Sequence, residues 1–307
     1  EDTKALQAGV LSIDEFLAQA KITGDEIVAQ YKYVLERYEN GFLFYYFGNL
    51  DQVSHMLWHT RDPEHPIYDA ERDAQYANVI EDLYVEFDGL VGYTLDNIGD
   101  DTTLIVLSDH GFGSFRRSFH MNAWLKEHGY LTVRDENMRE DPGFFVNINL
   151  PLTRAYNVGL NALYLNVEGR ESSGIVLPEQ RTALIDEIAE KLLAEVDPAT
   201  GQPAVTKVYK RDEVFEDRGE IEIGPDMIIG YAAGTRGSGH SAVGAVADEV
   251  LTDNVDEWPG DHEWDHETVP GVLLSNKPLK RSAPRLQDLA AAILAEFGIE
   301  ESVQDEQ

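Results

Sequence analysis

The sequence predicts an α/β fold with a mostly parallel central sheet and helices on both of its faces. Two continuous apolar runs, 42–47 and 103–107, are typical of strands that are covered on both sides. Between them, 69–98 carries apolar residues at helical spacing. A strand, a helix and a second strand in this order favour parallel strands joined by a right-handed crossover.

The remaining elements follow from the same spacing rules. The further predicted helices are a short acidic piece within 1–23 that ends near Gly24, then 25–40, 122–128, 178–196 and 286–297, and the further predicted strands are 205–209, 226–231 and 271–274. We expect 48–66 and 232–268 to be loops. We expect one catalytic domain over 1–307, with 130–225 as a lid or small subdomain because 130–175 is irregular and rich in Gly, Asn and Pro.

The composition limits the class of function. The chain has 57 acidic and 24 basic residues, a net charge of −33. Such a surface repels nucleic-acid backbones, which argues against a nucleic-acid-binding role. The excess of acidic residues fits a high-salt cytoplasm, where salt screens the self-repulsion of the surface. It also fits an extracytoplasmic site. The absence of cysteine excludes disulfides and thiolate metal sites.

No targeting or membrane segment is visible in this sequence. No apolar run approaches the ~20 residues of a membrane span. The first four residues, Glu1-Asp2-Thr3-Lys4, lack the Met, the basic region and the apolar region of a natural start. We therefore expect a segment upstream of Glu1.

Two acid–imidazole pairs follow the two predicted strands. Asp109-His110 comes directly after 103–107, and Gly111 allows the backbone to turn there. Asp51 and His55 follow 42–47 at a spacing that suits a helical turn. Each pair alone is also explained by a capping Asp and a partly exposed His. Ligands bind at the carboxyl ends of strands in open α/β sheets, so two such pairs together indicate a site.

A late loop supplies a third group, Gly260-Asp261-His262. Without cysteine, only nitrogen and oxygen ligands remain, and zinc accepts both imidazole and carboxylate. Two such ions close together would clamp a phosphorus centre during in-line displacement. His266 competes with His262 as the ligand.

The motifs resemble those of the alkaline phosphatase superfamily, in particular its type I phosphodiesterase/nucleotide pyrophosphatase branch. The three ordered motifs that carry the resemblance are YFGNLDQVSH (46–55), SDHGF (108–112) and GDH (260–262). Supporting segments are 119–125, 166–171, 225–230, 269–273 and 288–294. The resemblance covers nearly the whole chain, and it implies an alkaline-phosphatase-like core.

The resemblance also implies a site with two divalent metal ions, usually zinc. Asp51, His55 and His262 would hold one ion, while Asp109 and His110 would hold the other. The reaction would be hydrolysis of a small phosphorylated or nucleotide substrate through a covalent intermediate. His120 and Arg116, which follow the second metal pair, are candidate substrate-binding residues.

One part of the family pattern is missing. In the family a further metal-binding Asp and the Thr or Ser nucleophile precede the position of Asp51, and no such unit stands in this sequence. We therefore expect this chain to be the carboxyl-terminal part of the enzyme, with the missing segment as a possible separate chain. Ser54, Thr60 and Ser108 are not candidates for the nucleophile, and Ser108 is expected to satisfy either backbone groups or groups that support the metal ligands.

Several functions fit these motifs. A phosphodiesterase or nucleotide pyrophosphatase is the leading interpretation. A phosphomonoesterase, a sulfatase or a phosphoglycerate-mutase-like enzyme would share the same metal ligands. A metal-binding protein that lost its nucleophile, or an acidic protein that buffers cations, would need no catalysis.

Overall fold

The computed structural model describes residues 1–138, 141–215, 223–255, 258–283 and 285–299. The helices are α1 (Thr3–Gln7), α2 (Ile13–Leu35), α3 (Asn49–Leu57), α4 (Ala70–Asp73), α5 (Val79–Asn97), α6 (Met121–Glu127), α7 (Arg181–Leu193), α8 (Arg211–Val214), α9 (Gly239–Ala242) and α10 (Leu289–Glu296). The strands are β1 (Ile105–Leu107), β2 (Gly113–Ser114), β3 (Arg117–Phe119), β4 (Ala155–Asn157), β5 (Ala162–Leu165), β6 (Val205–Lys210), β7 (Met227–Tyr231), β8 (Thr235–Gly237), β9 (Leu251–Asp253), β10 (Gly260–Asp261) and β11 (Leu273–Ser275).

The chain divides into two units. Unit 1 comprises Glu1–Gln52, Val79–Gly111 and Pro270–Gln307, and unit 2 comprises Val53–Asn78 and Phe112–Val269. Helix α3 is continuous and contributes its first turn to unit 1 and the rest to unit 2. The prediction of one catalytic domain with a subdomain over 130–225 stays a prediction.

Unit 1 packs α2 against α5 through aromatic side chains. The Tyr31 hydroxyl lies 2.7 Å from the Thr94 hydroxyl, where either group can donate. The ring of Phe47 contacts the rings of Tyr31 and Phe87 at centroid distances of 5.3 and 5.6 Å. Strand β1 pairs antiparallel with β11. Ile105 of β1 packs against a small cluster that includes residues of α10.

Unit 2 contains the larger hydrophobic core. Strands β4, β5, β7 and β6 form an antiparallel sheet in that order, and β8, β3 and β9 form a second sheet in that order. The two-residue strands β2 and β10 pair antiparallel. Fully buried side chains such as Trp124, Phe119 and Ile188 fill the core. These sheets form the frame that positions the residues of β10.

The sheet differs from the sequence prediction. The described residues form a mixed α/β structure with several small sheets, and a mostly parallel central sheet is not seen among them. Of the described strand pairings, only β3 with β8 is parallel. The predicted partner strand 42–47 forms no ladder with the described strands, and the described pairing of β1 is with the late antiparallel strand β11.

The run 42–47 is an extended segment with one covered face, so the prediction of a strand buried on both faces is wrong. Side chains Phe42, Phe44 and Tyr46 are 62%, 66% and 64% exposed. Alternate side chains from Leu43 to Phe47 are half-buried. Side chains alternate between faces in an extended chain, and here only one of the two faces meets helices α2 and α5. Apolar character alone does not reveal which faces are covered.

Helix boundaries also differ from the predictions. The break expected near Gly24 is absent from the described helix α2, which begins at a capping box between Ser12 and Glu15 and continues through Gly24. A Cβ at Gly24 would lie 2.9 Å from Asn49 Nδ2, so the glycine allows close approach of the chain at the start of α3. The predicted helix 69–98 is divided into α4 and α5.

Two predicted loops contain regular elements. Segment 48–66 includes helix α3, and segment 232–268 includes β8, α9, β9 and β10. Among the described residues, no helix is long and apolar enough to cross a membrane.

Candidate metal centre

Helix α3 places Asp51 and His55 on one face. Asp51 lies in the first turn of the helix and His55 in its last turn. Residues four apart in an α-helix are neighbours on its surface, so the two side chains point the same way. The predicted acid–imidazole pair is therefore brought together by local helix geometry alone.

Other residues of unit 2, the unit to which His55 belongs, set the orientation of its ring. The side chain is buried, and its Nδ1 donates a hydrogen bond to the carbonyl oxygen of Gly260 at 2.8 Å. Its ring lies 4.8 Å from that of Phe112 and 4.6 Å from that of Trp258, measured between centroids. Because a carbonyl oxygen only accepts, Nδ1 carries the hydrogen, and in the neutral tautomer that this contact selects the lone pair is on Nε2. A lone pair on Nε2 is what a metal ion needs from a neutral imidazole.

Glycine at position 260 permits this contact. A Cβ there would lie 2.5 Å from the Ser54 carbonyl oxygen and 2.6 Å from Trp58 Cβ. No side chain fits at such distances without moving the backbone of α3. The absence of a side chain at Gly260 therefore allows β10 to approach α3 closely.

Three predicted ligands form a cluster. One ligand atom each from Asp51, His55 and His262 lie within 4.8 Å of one another. The imidazole rings of His55 and His262 are 5.2 Å apart between centroids. One carboxylate and two imidazoles fit a zinc ion and leave coordination positions open for other groups. The donor set thus suits a catalytic metal ion.

Asp109 and His110 form a second polar pair in unit 1. His110 Nε2 lies 3.5 Å from an Asp109 carboxylate oxygen, and His110 Nδ1 donates to the Gly111 carbonyl oxygen at 2.9 Å. Partial desolvation and then the charges of Asp51 and Asp109 raise the pKa of the Tyr46 phenol. The negative charges of both carboxylates therefore affect the same phenol. Neither Asp109 nor His110 belongs to the three-residue cluster, and a second metal ion stays a prediction.

His266 is held in a different environment from His262. Its side chain is 73% exposed, and its Nδ1 lies 2.9 Å from the Tyr209 hydroxyl. Tyr209 in turn donates to the buried carboxylate of Asp265 at 2.8 Å. Of the two competing histidines, only His262 lies in the ligand cluster.

The two candidate substrate-binding residues both contact other side chains in the structure. The Arg116 guanidinium donates to both carboxylate oxygens of Asp62 at 2.7 Å and also pairs with Glu64. His120 is buried, and its Nε2 lies 3.0 Å from the Thr252 hydroxyl. Burial and then the neighbouring His240 lower the pKa of His120 to about 4. His120 is thus a neutral imidazole at neutral pH.

The hydroxyls of Ser108 and Thr60 are bound to backbone groups. Ser108 Oγ accepts a hydrogen bond from the Val272 amide at 3.0 Å, which agrees with the backbone role predicted for it. Thr60 Oγ1 donates to the carbonyl oxygens of Leu57 and Tyr76. Both hydroxyls are therefore engaged with backbone groups.

Sequence reasoning missed the residues that support the ligands. Arg236 forms a buried ion pair with Asp261, and nothing in its local sequence indicates this role. Buried His59 lies 3.7 Å from Asp73, beyond the end of α3. The tripeptide Gly260-Asp261-His262 was the available signal for the rest of this arrangement, since an acid such as Asp261 beside a ligand can orient an imidazole.

The described fold and site define a mixed α/β protein with a candidate Asp/His/His metal centre. The chain belongs to the type I phosphodiesterase/nucleotide pyrophosphatase family, whose sequence model matches residues 9–237. This is the family that the motifs indicated. The match includes Asp51, His55, Asp109 and His110, and it ends before His262. A comparison with curated proteins gave no match.

Proposed function

We propose that the protein hydrolyses phosphoric esters, specifically phosphodiesters or nucleotide pyrophosphates, in a metal-dependent reaction. The cluster of Asp51, His55 and His262 carries the proposal, because it gathers three ligands suited to a divalent cation in a chain of this family. Zinc is the proposed ion. When bound, such an ion acts as a Lewis acid towards phosphoryl oxygens.

We further propose that Asp109 and His110 hold a second ion. The Tyr46 phenol supports this assignment, because burial and then the charges of both Asp51 and Asp109 raise its pKa. With a net charge of −33, the protein needs such cations to accept an anionic substrate. The two ions would together neutralise charge that develops on the phosphate.

The chain's own residues have distinct proposed tasks. Neutral, buried His120 is proposed to contact the substrate, since an uncharged imidazole can donate or accept a hydrogen bond. Arg116 is a weaker candidate for that contact, because two carboxylates already neutralise its guanidinium. We assign the attacking hydroxyl to neither Ser108 nor Thr60, and we propose that the Thr or Ser of the covalent step lies outside this sequence.

The first test measures metal binding and turnover in the complete protein. Zinc binding is followed by calorimetry, and hydrolysis is followed with bis(p-nitrophenyl) phosphate before and after chelation. We expect tight zinc binding and chelator-sensitive diester hydrolysis. His262→Gln should abolish both, while the matched variant His266→Gln should leave both unchanged.

The outcomes separate the candidate functions. Faster turnover of p-nitrophenyl phosphate than of the diester would contradict the diester assignment in favour of a phosphomonoesterase. Tight zinc binding without hydrolysis of either ester would favour a metal-binding protein without catalysis. Unchanged diester turnover after Asp109→Ala would contradict the proposed second metal ion.

A further inference from the structure

A buried ion pair lies directly behind one of the ligands. The Arg236 Nη1 donates to Asp261 Oδ2, and the two side chains are 7% and 3% exposed. The other oxygen of the same carboxylate, Oδ1, accepts the backbone amide of His262 at 2.7 Å and that of Glu263 at 3.2 Å. One carboxylate thus joins the guanidinium on one side to the backbone of the ligand loop on the other.

We propose that Asp261, held in place by Arg236, is a positioning residue that keeps His262 in its metal-binding orientation and thereby sets the metal affinity of the site. An aspartate that accepts two successive backbone amides fixes the direction of the turn that follows it. Here that turn begins at His262. The imidazole therefore leaves β10 on the side where the ring of His55 lies 5.2 Å away.

The guanidinium is the buried partner of the carboxylate and keeps it in place. A buried carboxylate without a partner is costly, and loss of one partner from a buried pair leaves an uncompensated charge. Arg236 itself is fixed by a hydrogen bond from its Nε to the Gly237 carbonyl oxygen at 3.1 Å. Its guanidinium also lies over the Phe115 ring, 4.2 Å from the centroid.

The pair links two sheets of unit 2. Arg236 lies on β8, where it pairs with Ser118 of β3. Asp261 lies on β10, where it pairs with Gly113 of β2. The sheets of the core, and not the long loop that follows, therefore fix the position of His262. Strand β10 serves both imidazoles, because its Gly260 carbonyl orients His55 and its Asp261 carboxylate orients the backbone at His262.

The inference rests on the proposed metal site. Two double variants that differ only at position 261 separate an effect on zinc binding from an effect on stability. Arg236→Met/Asp261→Asn and Arg236→Met/Asp261→Leu both remove the ion pair, but only asparagine retains an acceptor for the His262 amide. Zinc affinity is measured by calorimetry, and the visible spectrum of the cobalt-loaded protein reports ligand geometry. Thermal unfolding of each metal-free variant measures its stability.

We expect the asparagine variant to bind zinc within a few fold of the wild type. The leucine variant should bind about ten- to a hundredfold more weakly, the usual effect of losing a partner that orients a ligand. Its cobalt spectrum should change as well, even where its melting temperature equals that of the asparagine variant. Arg170→Met is the matched control, because it breaks another Arg–Asp pair of unit 2, with Asp226, and should lower stability without changing zinc affinity.

Two results would overturn the inference in distinguishable ways. Wild-type zinc affinity and an unchanged cobalt spectrum in the leucine variant would refute the positioning role and leave the metal site intact. Failure of the wild-type protein itself to bind zinc would instead refute the proposed metal site, and the positioning role with it.

Discussion

His55 donates its Nδ1 hydrogen to the carbonyl oxygen of Gly260, and this 2.8 Å contact joins the end of helix α3 to strand β10. Buried ligand histidines commonly use the second ring nitrogen in this way, which fixes both the tautomer and the ring plane. The contact depends on a glycine, since the backbone of β10 lies closer to α3 than any side chain would allow.

We predict that Gly260→Ala lowers zinc affinity by about tenfold or more, as losses of ligand-orienting partners do. The added methyl group would meet the Ser54 carbonyl oxygen and Trp58 Cβ, so β10 must move away from His55. Stability should also fall, by about 1–3 kcal/mol, as in overpacked cores. Calorimetric zinc titration and urea unfolding measure the two effects.

Gly92→Ala is the matched control for that variant. Gly92 lies inside helix α5, and a Cβ there would meet nothing within 4 Å. Alanine is the better helix former by about 1 kcal/mol, so this variant should be slightly more stable than the wild type. Unaltered zinc affinity in Gly260→Ala would show that the β10 carbonyl does not orient His55.

We predict that His120 makes folding stability depend on pH below neutrality. Burial, reinforced by His240, lowers the pKa of this imidazole to about 4 from its ordinary value of 6.5. Between these values the unfolded chain binds a proton that the folded chain excludes, so stability is complete above the unfolded pKa and falls as pH decreases towards the folded pKa. One such group contributes a loss of about 2 kcal/mol between about pH 7 and about pH 5.

The variant His120→Gln tests this contribution, because glutamine does not titrate. Urea unfolding at the two pH values should show a smaller loss of stability in the variant than in the wild type. His128→Gln is a suitable comparison, since it removes a histidine that stacks on Trp124 nearer the surface. An identical pH dependence for His120→Gln and the wild type would rule out a buried neutral imidazole at this position.

The structure brings together three of the residues that the sequence indicated as ligands, whereas the described residues do not form the predicted sheet. The four-residue spacing of Asp51 and His55 is a local signal, because helix geometry alone brings them together. His262 was found through its tripeptide and the family resemblance. Arg236 could not be found this way, because its partner Asp261 is 25 residues away and pairs with it only after β8 and β10 are in place.

The prediction for 42–47 failed for a physical reason. A continuous apolar run says that many side chains avoid water, but it does not say which neighbours cover each face. Helices α2 and α5 cover only the face that carries Tyr45 and Phe47. Parallel pairing with 103–107 was inferred from the order of elements, and order does not show that a ladder forms.

We therefore predict that the two faces of 42–47 respond differently to truncation. Phe47→Ala should destabilise the protein by about 2–3 kcal/mol, somewhat less than a fully buried phenylalanine, because Phe47 is only half-buried against Tyr31 and Phe87. Phe44→Ala should change stability by less than about 0.5 kcal/mol, as exposed substitutions do. Equal losses from the two variants, measured by urea unfolding, would mean that the outer face is covered in solution.

The charge of −33 gives a last prediction, which concerns salt. Like charges on a folded surface repel, and the Debye length shortens from about 10 Å at 0.1 M salt to about 3 Å at 1 M salt. Screening should therefore stabilise the compact chain, and we expect its melting temperature to rise by about 5 °C or more over this range of KCl. Glucose at equal osmolality is the control for solute effects without screening. A flat or falling melting temperature in KCl would show that local ion pairs, such as Arg117 with Asp197, outweigh the repulsion of the surface as a whole.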